Sequence, residues 1–278
     1  MAILMDGKVQ ANIVKQQVKA SILKITSGKP SMSVVQVGND PASTVYIKHK
    51  EKACAEVGIL FNRVSLPENI SEADLLSEID KINNDTSVHG FLIQQPLPRH
   101  INTDIVVEKI NPNKDIDCLH PYNTGLVSEQ RGFLLPCTPL GIINLLDAYN
   151  IDLEGKHCVI IGRSRIVGKP LGMMMLGRNA TVTYCHSKTK NLSEITKQAD
   201  ILTVAIGQEG FLTADMIKPG CVLVDVGINR RKNNKLCGDA DFESCFEKAS
   251  YITPVPGGVG PMTVAMLIAN GLKAWENS

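Results

Sequence analysis

"HCVIIGRSRIVGKPLGMMML", residues 157–176, decides the fold. A short β-branched apolar run stops at Gly162, and a second apolar segment begins at Gly168. That order reads as strand, glycine turn and helix, the arrangement in which a helix N-terminus and free backbone N–H groups can hold phosphate. The glycine spacing departs from the dinucleotide fingerprint, because Ser164 stands where its second glycine would be. The context of strand, turn and helix therefore carries more weight than the letters.

Outward from this stretch, similar runs recur between helical patterns. They are "SVVQVG" (33–38), "HGFLIQ" (89–94), "ATVTYC" (180–185), "DILTVAIG" (200–207) and "CVLVDVGI" (221–228). Such alternation is the pattern of βαβ units on a mostly parallel sheet, whose strands are buried on both faces. The 278 residues suit two domains with a cleft. The expected fold is thus α/β in two domains, the C-terminal one a Rossmann-like doubly wound parallel sheet. Residues 111–141 turn rich in Pro, Gly, Asn and Asp and mark the domain crossover. A second such cluster, "TPVPGGVGPM" (253–262), precedes a last helix, "TVAMLIANGLKAW", whose apolar spacing suits packing on a neighbouring domain.

Lys and Arg total 29 against 28 Asp and Glu, a net charge of +1, so no global field recruits nucleic acid or an acidic membrane. The start, "MAILMDGKVQ", lacks a secretory signal pattern, and no apolar run reaches the roughly 18 residues of a membrane span. A cytosolic protein is expected. Its eight cysteines form no C-x-x-C pair, and neither they nor the six histidines are spaced as metal ligands. Most of the cysteines read as small buried apolar residues rather than as disulfides or a zinc site.

About 20 residues beyond the glycine turn, a protein selective for NAD places Asp or Glu for the ribose 2′-hydroxyl. Here that position reads "CHSKT" (185–189). Ser187 and Lys188, with Arg163 and Arg165 in the glycine turn, would offer a 2′-phosphate donors and positive charge, which favours NADP. The competing reading is a solvated basic turn without a ligand.

In "GNDPASTVYIKHKEKACAEVG" (38–58), Asp40 suits an N-cap, Pro41 a first helical position and Gly58 a C-terminal stop. Tyr46 and Lys50 then share one helix face, a turn apart. Taken alone they fit a core tyrosine and a snorkelling lysine. Gln94 ends the apolar run "GFLI", at the strand end where ligands of parallel sheets collect, although it could merely cap that end. Asp117, in "NPNKDIDCLHP", could form an ordinary Asx-turn.

Together these segments closely resemble the bifunctional methylenetetrahydrofolate dehydrogenase and methenyltetrahydrofolate cyclohydrolase family. The resemblance is carried in order by "VGNDPASTVYIKHK", "GFLIQQPLP", "KDIDCLHP", "PCTP", "GRSRIVGKP", "ATVTYCHSKT", "DVGIN", "GDADF" and "TPVPGGVGPMT", and it covers essentially the whole chain. It implies a folate site between two domains, with Tyr46, Lys50, Gln94 and Asp117 at the catalytic and pterin-binding positions and Ile93 and Gln95 beside them. It also implies that Pro256, Gly257, Gly258, Val259 and Gly260 close on substrate, and that Gly162, Arg163, Ser164, Ser187 and Ile228 contact NADP. The domains implied are 1–138 with 262–278 for folate and catalysis, and 139–261 for NADP; homodimers are usual in the family.

The residue types suit the chemistry. Hydride loss from the carbon bridging two nitrogens leaves a delocalised methenyl cation, a step that needs geometry more than a strong base. Water then attacks and the ring opens, which calls for a group to manage protons. Lys50 serves if desolvation lowers its pKa, with Gln94 orienting it, Tyr46 walling the folate and Asp117 accepting two pterin donors. The family usually has Gly-Phe where this chain has Cys118-Leu119, so a positive φ there would strain Cys118. A related dehydrogenase of a small carbonyl or amino acid substrate leaves the set Tyr46, Lys50, Gln94 and Asp117 unexplained, and an NAD(P)-dependent dehydrogenase without the hydrolytic step stands as an alternative. A non-catalytic folate- or nucleotide-binding protein would be expected to have lost Lys50 or the phosphate turn, and both are present.

Overall fold

The computed structural model describes residues 1–231 and 233–278. In chain order the elements are β1 (Ile3–Leu4), α1 (Gly7–Ile22), β2 (Ser31–Val37), α2 (Pro41–Val57), β3 (Leu60–Leu66), α3 (Glu72–Asn84) and β4 (Gly90–Ile93). There follow α4 (Thr103–Glu108), α5 (Pro121–Ser128), α6 (Cys137–Ala148), β5 (His157–Ile161), α7 (Gly168–Leu176), β6 (Thr181–Cys185), α8 (Leu192–Thr196) and β7 (Ile201–Val204). The chain ends through β8 (Val222–Asp225), β9 (Asn229–Arg230), β10 (Leu236–Cys237), α9 (Phe242–Phe246), β11 (Tyr251–Ile252) and α10 (Val259–Glu276).

The chain divides into two compact units. The first comprises Met1–Ala11 and Thr138–Thr263. Its six-stranded sheet has the order β1-β11-β8-β7-β5-β6, with every neighbouring pair parallel. β5 lies between β6 and β7, so the strand order reverses beside it, and such a switch point opens a crevice at the carboxyl ends of the strands. Alternate residues of β5 feed two cores: Cys158 and Ile160 pack with Leu171 and Met175 of α7, while Val159 and Ile161 pack with Leu202, Val204 and Leu223. Burial on both faces explains the uninterrupted apolar runs.

The expected division placed the first residues of the chain with the other unit. The structure places Met1–Ala11 here, because β1 extends the sheet through Ile3 opposite Tyr251 and Leu4 opposite Ile252. A strand of two residues leaves no periodic signal, and its pairing 248 positions away is set by tertiary structure.

The second unit comprises Asn12–Cys137 and Val264–Ser278. Its parallel sheet has the order β3-β2-β4. Val35 and Val37 of β2 and Phe91 and Ile93 of β4 pack with Leu75, Ile79 and Ile82 of α3. α2 begins and ends as its residues dictate: the Asp40 carboxylate accepts from Ser43 N at 2.7 Å, Pro41 opens the helix, and Gly58 closes it at φ 93° with its N–H on Cys54 O. β3 has no counterpart among the apolar runs. It is an edge strand in which Asn62 and Arg63 interrupt the pattern and half-buried residues alternate with exposed ones.

Two buried carboxylates frame the strand ends of the first unit. Asp225, closing β8, accepts from the N–H groups of Gly227, Asp239 and Ala240, each at 2.9 Å. Asp239, fully buried, accepts from Ile206, Gly207 and Gln208 N–H at 2.7, 3.0 and 2.8 Å and from Asn229 Nδ2 at 2.8 Å. A Cβ on Gly227 would overlap Asp239, and one on Gly238 would overlap Asp225, which accounts for the glycines of "DVGIN" and "CGDADF". Since buried donors without acceptors cost roughly 1–3 kcal/mol each, Asp239→Ala is expected to destabilise the protein by about 3 kcal/mol in urea unfolding.

Candidate active site

In the second unit, α2 carries Lys50 and β4 leads into Gln94. Lys50 Nζ donates to Gln94 Oε1 at 3.0 Å. Gln94 is itself held twice, its N–H on Val35 O at 2.8 Å and its Nε2 on Gln95 O at 2.8 Å. With the amide nitrogen engaged there, the carbonyl end faces the lysine. Tyr46 lies one turn before Lys50 and is 43% exposed, so it is a surface residue of this unit and not a core one. Ile93 is buried at the end of β4, and Gln95 accepts from Ser43 Oγ through its carbonyl at 3.4 Å.

Burial lowers the pKa of Lys50 from the ordinary lysine value, and the opposing pull comes first from Asp117 and then from Cys137 and Cys54. Lys48 and Lys52 are exposed and play no part in the shift, as their places on the helix require. Asp117 thus lies in the electrostatic reach of Lys50. Burial, chiefly, and then the charge of Asp117 push the pKa of the Cys137 thiol well up, while that thiol donates to Ile116 O at 3.3 Å. Tyr46, Lys50, Gln94 and Asp117 all belong to this unit.

The loop around Asp117 holds residues that sequence reading missed. Asp115, 1% exposed, accepts from Leu119 N at 3.2 Å, His120 N at 2.8 Å and Asn123 Nδ2 at 2.9 Å. Asn270 of α10, fully buried, donates from Nδ2 to Ile116 O at 2.8 Å and to Leu135 O at 2.7 Å. Cys118 has φ 57°, the left-handed conformation anticipated from the family's glycine there, at a cost of roughly 1–2 kcal/mol for an L-residue. Its buried thiol donates to Leu134 O at 3.4 Å. Only the doubled Asp of "KDID" hinted at Asp115; nothing local marks Asn270.

At the switch point of the first unit, Gly162 follows β5 with φ 132° and Gly168 opens α7. A Cβ on Gly162 would stand 2.5 Å from Ala205 O, and one on Gly168 would overlap the carbonyl of Gly162. Ser164 Oγ accepts from Val167 N at 3.2 Å and Gly168 N at 3.3 Å, so it shapes the turn into the helix. Arg163, Ser164 and Arg165 are exposed. After β6, His186 receives Lys188 N on Nδ1 at 3.1 Å and donates its own N–H to Thr189 Oγ1 at 2.8 Å, leaving Ser187 and Lys188 exposed at the turn's tip. Ile228, beyond β8, is 48% exposed. This close glycine turn, with donors and a cation but no carboxylate ending β6, fits a dinucleotide bearing a 2′-phosphate.

Pro256 is exposed, while Gly257, Gly258 and Val259 are buried. The "PGGVG" segment differs from a simple loop, since Val259 and Gly260 already belong to the first turn of α10. Gly258 meets Gly7 so closely that a Cβ on Gly7 would overlap its carbonyl.

Two family models match the chain: the tetrahydrofolate dehydrogenase/cyclohydrolase catalytic domain over residues 5–117, and the NAD(P)-binding domain of the same family over residues 136–278. The bifunctional protein FolD of Halalkalibacterium halodurans is 52% identical over 275 residues, 98% of each chain. A crystal structure of the bifunctional FolD enzyme, methylenetetrahydrofolate dehydrogenase/cyclohydrolase, from Campylobacter jejuni is 49% identical with a TM-score of 0.97, covering 100% of this chain and 99% of that one. The Trypanosoma brucei enzyme, crystallised with NADP and an inhibitor, is 33% identical with a TM-score of 0.94, covering 99% and 98%. The chain belongs to the tetrahydrofolate dehydrogenase/cyclohydrolase family. It is a bifunctional enzyme of that family, and the readings that make it a binding protein or a dehydrogenase of another substrate fall away.

Gly162→Ala should show how far the turn depends on its glycine. Strained φ and overlap with Ala205 O are expected to cost about 2 kcal/mol of stability in urea unfolding and to weaken NADP binding measured by fluorescence titration.

Proposed function

We propose that the protein oxidises 5,10-methylenetetrahydrofolate to the 5,10-methenyl compound with NADP, and hydrolyses that to 10-formyltetrahydrofolate with Lys50 as the proton-handling residue. The observation that carries this reading is the half-buried Lys50 held at 3.0 Å on Gln94. When bound, NADP accepts the hydride. Gly162, Arg163 and Ser164 hold its phosphates, and Ser187 and Ile228 border its other contacts.

Hydrolysis of the methenyl cation needs a proton removed from water and one delivered to the nitrogen that leaves. Burial lowers the pKa of Lys50 and so favours its neutral amine, which can take the first proton and return it as the ring opens. Gln94 accepts from either protonation state of the amine, so it fixes Nζ in place throughout the cycle. Asp117 opposes the loss of the lysine proton, and its carboxylate accepts two pterin donors in a fork. Tyr46 offers its ring as a wall for the folate's aromatic half, Ile93 and Gln95 border the pterin, and Pro256–Gly260 close on substrate.

On the same likeness we assign the enzyme to one-carbon metabolism in the cytoplasm, as a homodimer. Among the described residues no helix is long and apolar enough to cross a membrane.

With methylenetetrahydrofolate and either NADP or NAD, reduced cofactor and 10-formyltetrahydrofolate should both appear, and faster with NADP. Accumulation of the methenyl compound would instead mark a dehydrogenase without the hydrolytic step. Lys50→Met is expected to lower hydrolysis of the methenyl compound by about 10²–10⁴-fold while NADP affinity holds. Undiminished hydrolysis in that variant would remove Lys50 from the mechanism.

The pH dependence follows from the direction of the Lys50 shift. The neutral amine is the base, so hydrolysis should rise with pH through a pKa below that of a free lysine. Asp117→Asn removes the leading charge that favours protonation, and at saturating substrate the rising limb should move to lower pH.

A further inference from the structure

Asp117 projects from a segment in which its neighbours on both sides are tied down. Before it, Ile116 O accepts from Asn270 Nδ2 at 2.8 Å and from the Cys137 thiol at 3.3 Å. After it, Cys118 N donates to Asp115 O at 3.0 Å, and the N–H groups of Leu119 and His120 turn back onto the Asp115 carboxylate at 3.2 and 2.8 Å. Asp115 also bridges in parallel register to Phe91 of β4, three residues before Gln94, and a Cβ on Gly90 would overlap the Ile116 side chain. The same residue therefore meets the strand that leads to Gln94 and the loop that carries Asp117.

We propose that Asp115 is a positioning residue for folate recognition: its carboxylate imposes the left-handed turn at Cys118 and so sets where Asp117 points. This inference rests on the functional reading above. Leu119 and His120 can aim their N–H groups at Asp115 only if the chain reverses between them, and the reversal occurs at Cys118, φ 57°. A glycine takes that conformation without penalty, whereas a cysteine must be held in it. The three donors on Asp115 supply the hold, and Asn123 Nδ2 steadies the carboxylate while also donating to Pro112 O at 2.9 Å.

An acceptor with both oxygens available is required. In Asp115→Asn one amide –NH2 would face a donor, either His120 N–H and Asn123 Nδ2 or Leu119 N–H, and part of the loop would be released. Replacing Cys118 with glycine makes the turn cheap on its own. The two positions are therefore coupled, with a sign set by their geometry.

The test is a double-variant cycle of Asp115→Asn and Cys118→Gly, reading the KM for methylenetetrahydrofolate, kcat and the Kd for NADP. Asp115→Asn is expected to raise the KM at least about tenfold with Cys118 present, and no more than about threefold in the Cys118→Gly background, while NADP affinity stays within about twofold. An unchanged KM, an equal effect in both backgrounds, or a parallel loss of NADP affinity would overturn the proposal. Should Asp115→Asn fail to fold, Asn123→Ala removes one of the same hydrogen bonds and is read in the same two backgrounds against the same criteria. Wild-type protein that does not turn over methylenetetrahydrofolate would overturn the functional reading and this inference with it. Wild-type turnover with no coupling would overturn the inference alone.

Discussion

The burial of one lysine amine is the constraint around which the polar contacts of the second unit are arranged. The helix Pro41–Val57 sets Lys50 beside Gln94, which the sheet holds through Val35 and which spends its own amide nitrogen on the next carbonyl. Removing an ammonium from water favours its neutral form, and a nearby carboxylate favours the charged one. Here burial outweighs Asp117, so the pKa of Lys50 lies below that of a free lysine. The orientation of Gln94 matters as much as its presence, because only its carbonyl end suits an amine that must donate.

A second theme recurs in both units: buried aspartates that collect the backbone N–H groups of loops. Asp239 gathers the turn after Ile201–Val204, Asp225 the turns at Gly227 and Ala240, and Asp115 the turn after Asp117. Loops leaving the carboxyl ends of parallel strands carry ligand contacts, yet their backbone donors need acceptors wherever they are buried. A carboxylate provides several acceptor sites without a donor of its own, and so fixes such loops without a regular ladder. Burial raises the pKa of Asp225 to about 6 despite the N–H groups of Ala240, Asp239 and Gly227, so the hydrogen bonds offset only part of the cost of burying its charge. A carboxyl pKa raised on folding means that this ionisation opposes stability as pH rises from the unfolded value near 4 through about 6.

Much of the site was legible in the residues. Asp40, Pro41 and Gly58 bound a helix by local rules, which put Tyr46 and Lys50 on one face. The apolar run ending at Gln94 proved to be β4, and the left-handed φ at Cys118 matches the glycine usual in the family. Other parts left no local trace. β3 is an edge strand whose polar residues hide it, β1 is two residues long, and Asn270 is an amide inside an apolar helix whose partners lie 154 and 135 positions away.

By itself the sequence determined what is local or periodic: parallel strands from uninterrupted apolar runs, helix ends from caps, a phosphate turn from glycines spaced between a strand and a helix. It also held the chemical identities, an amine, an amide, a phenol and a carboxylate, because side-chain chemistry does not depend on folding. Tertiary structure alone decided how those identities behave. The pKa of Lys50 depends on burial and on Asp117, which lies 67 positions away along the chain, and the carbonyl preceding Asp117 is held by Asn270, 154 positions from Ile116. Desolvation and hydrogen-bond geometry are properties of neighbours in space, and for these residues the neighbours are assembled only when the chain has folded.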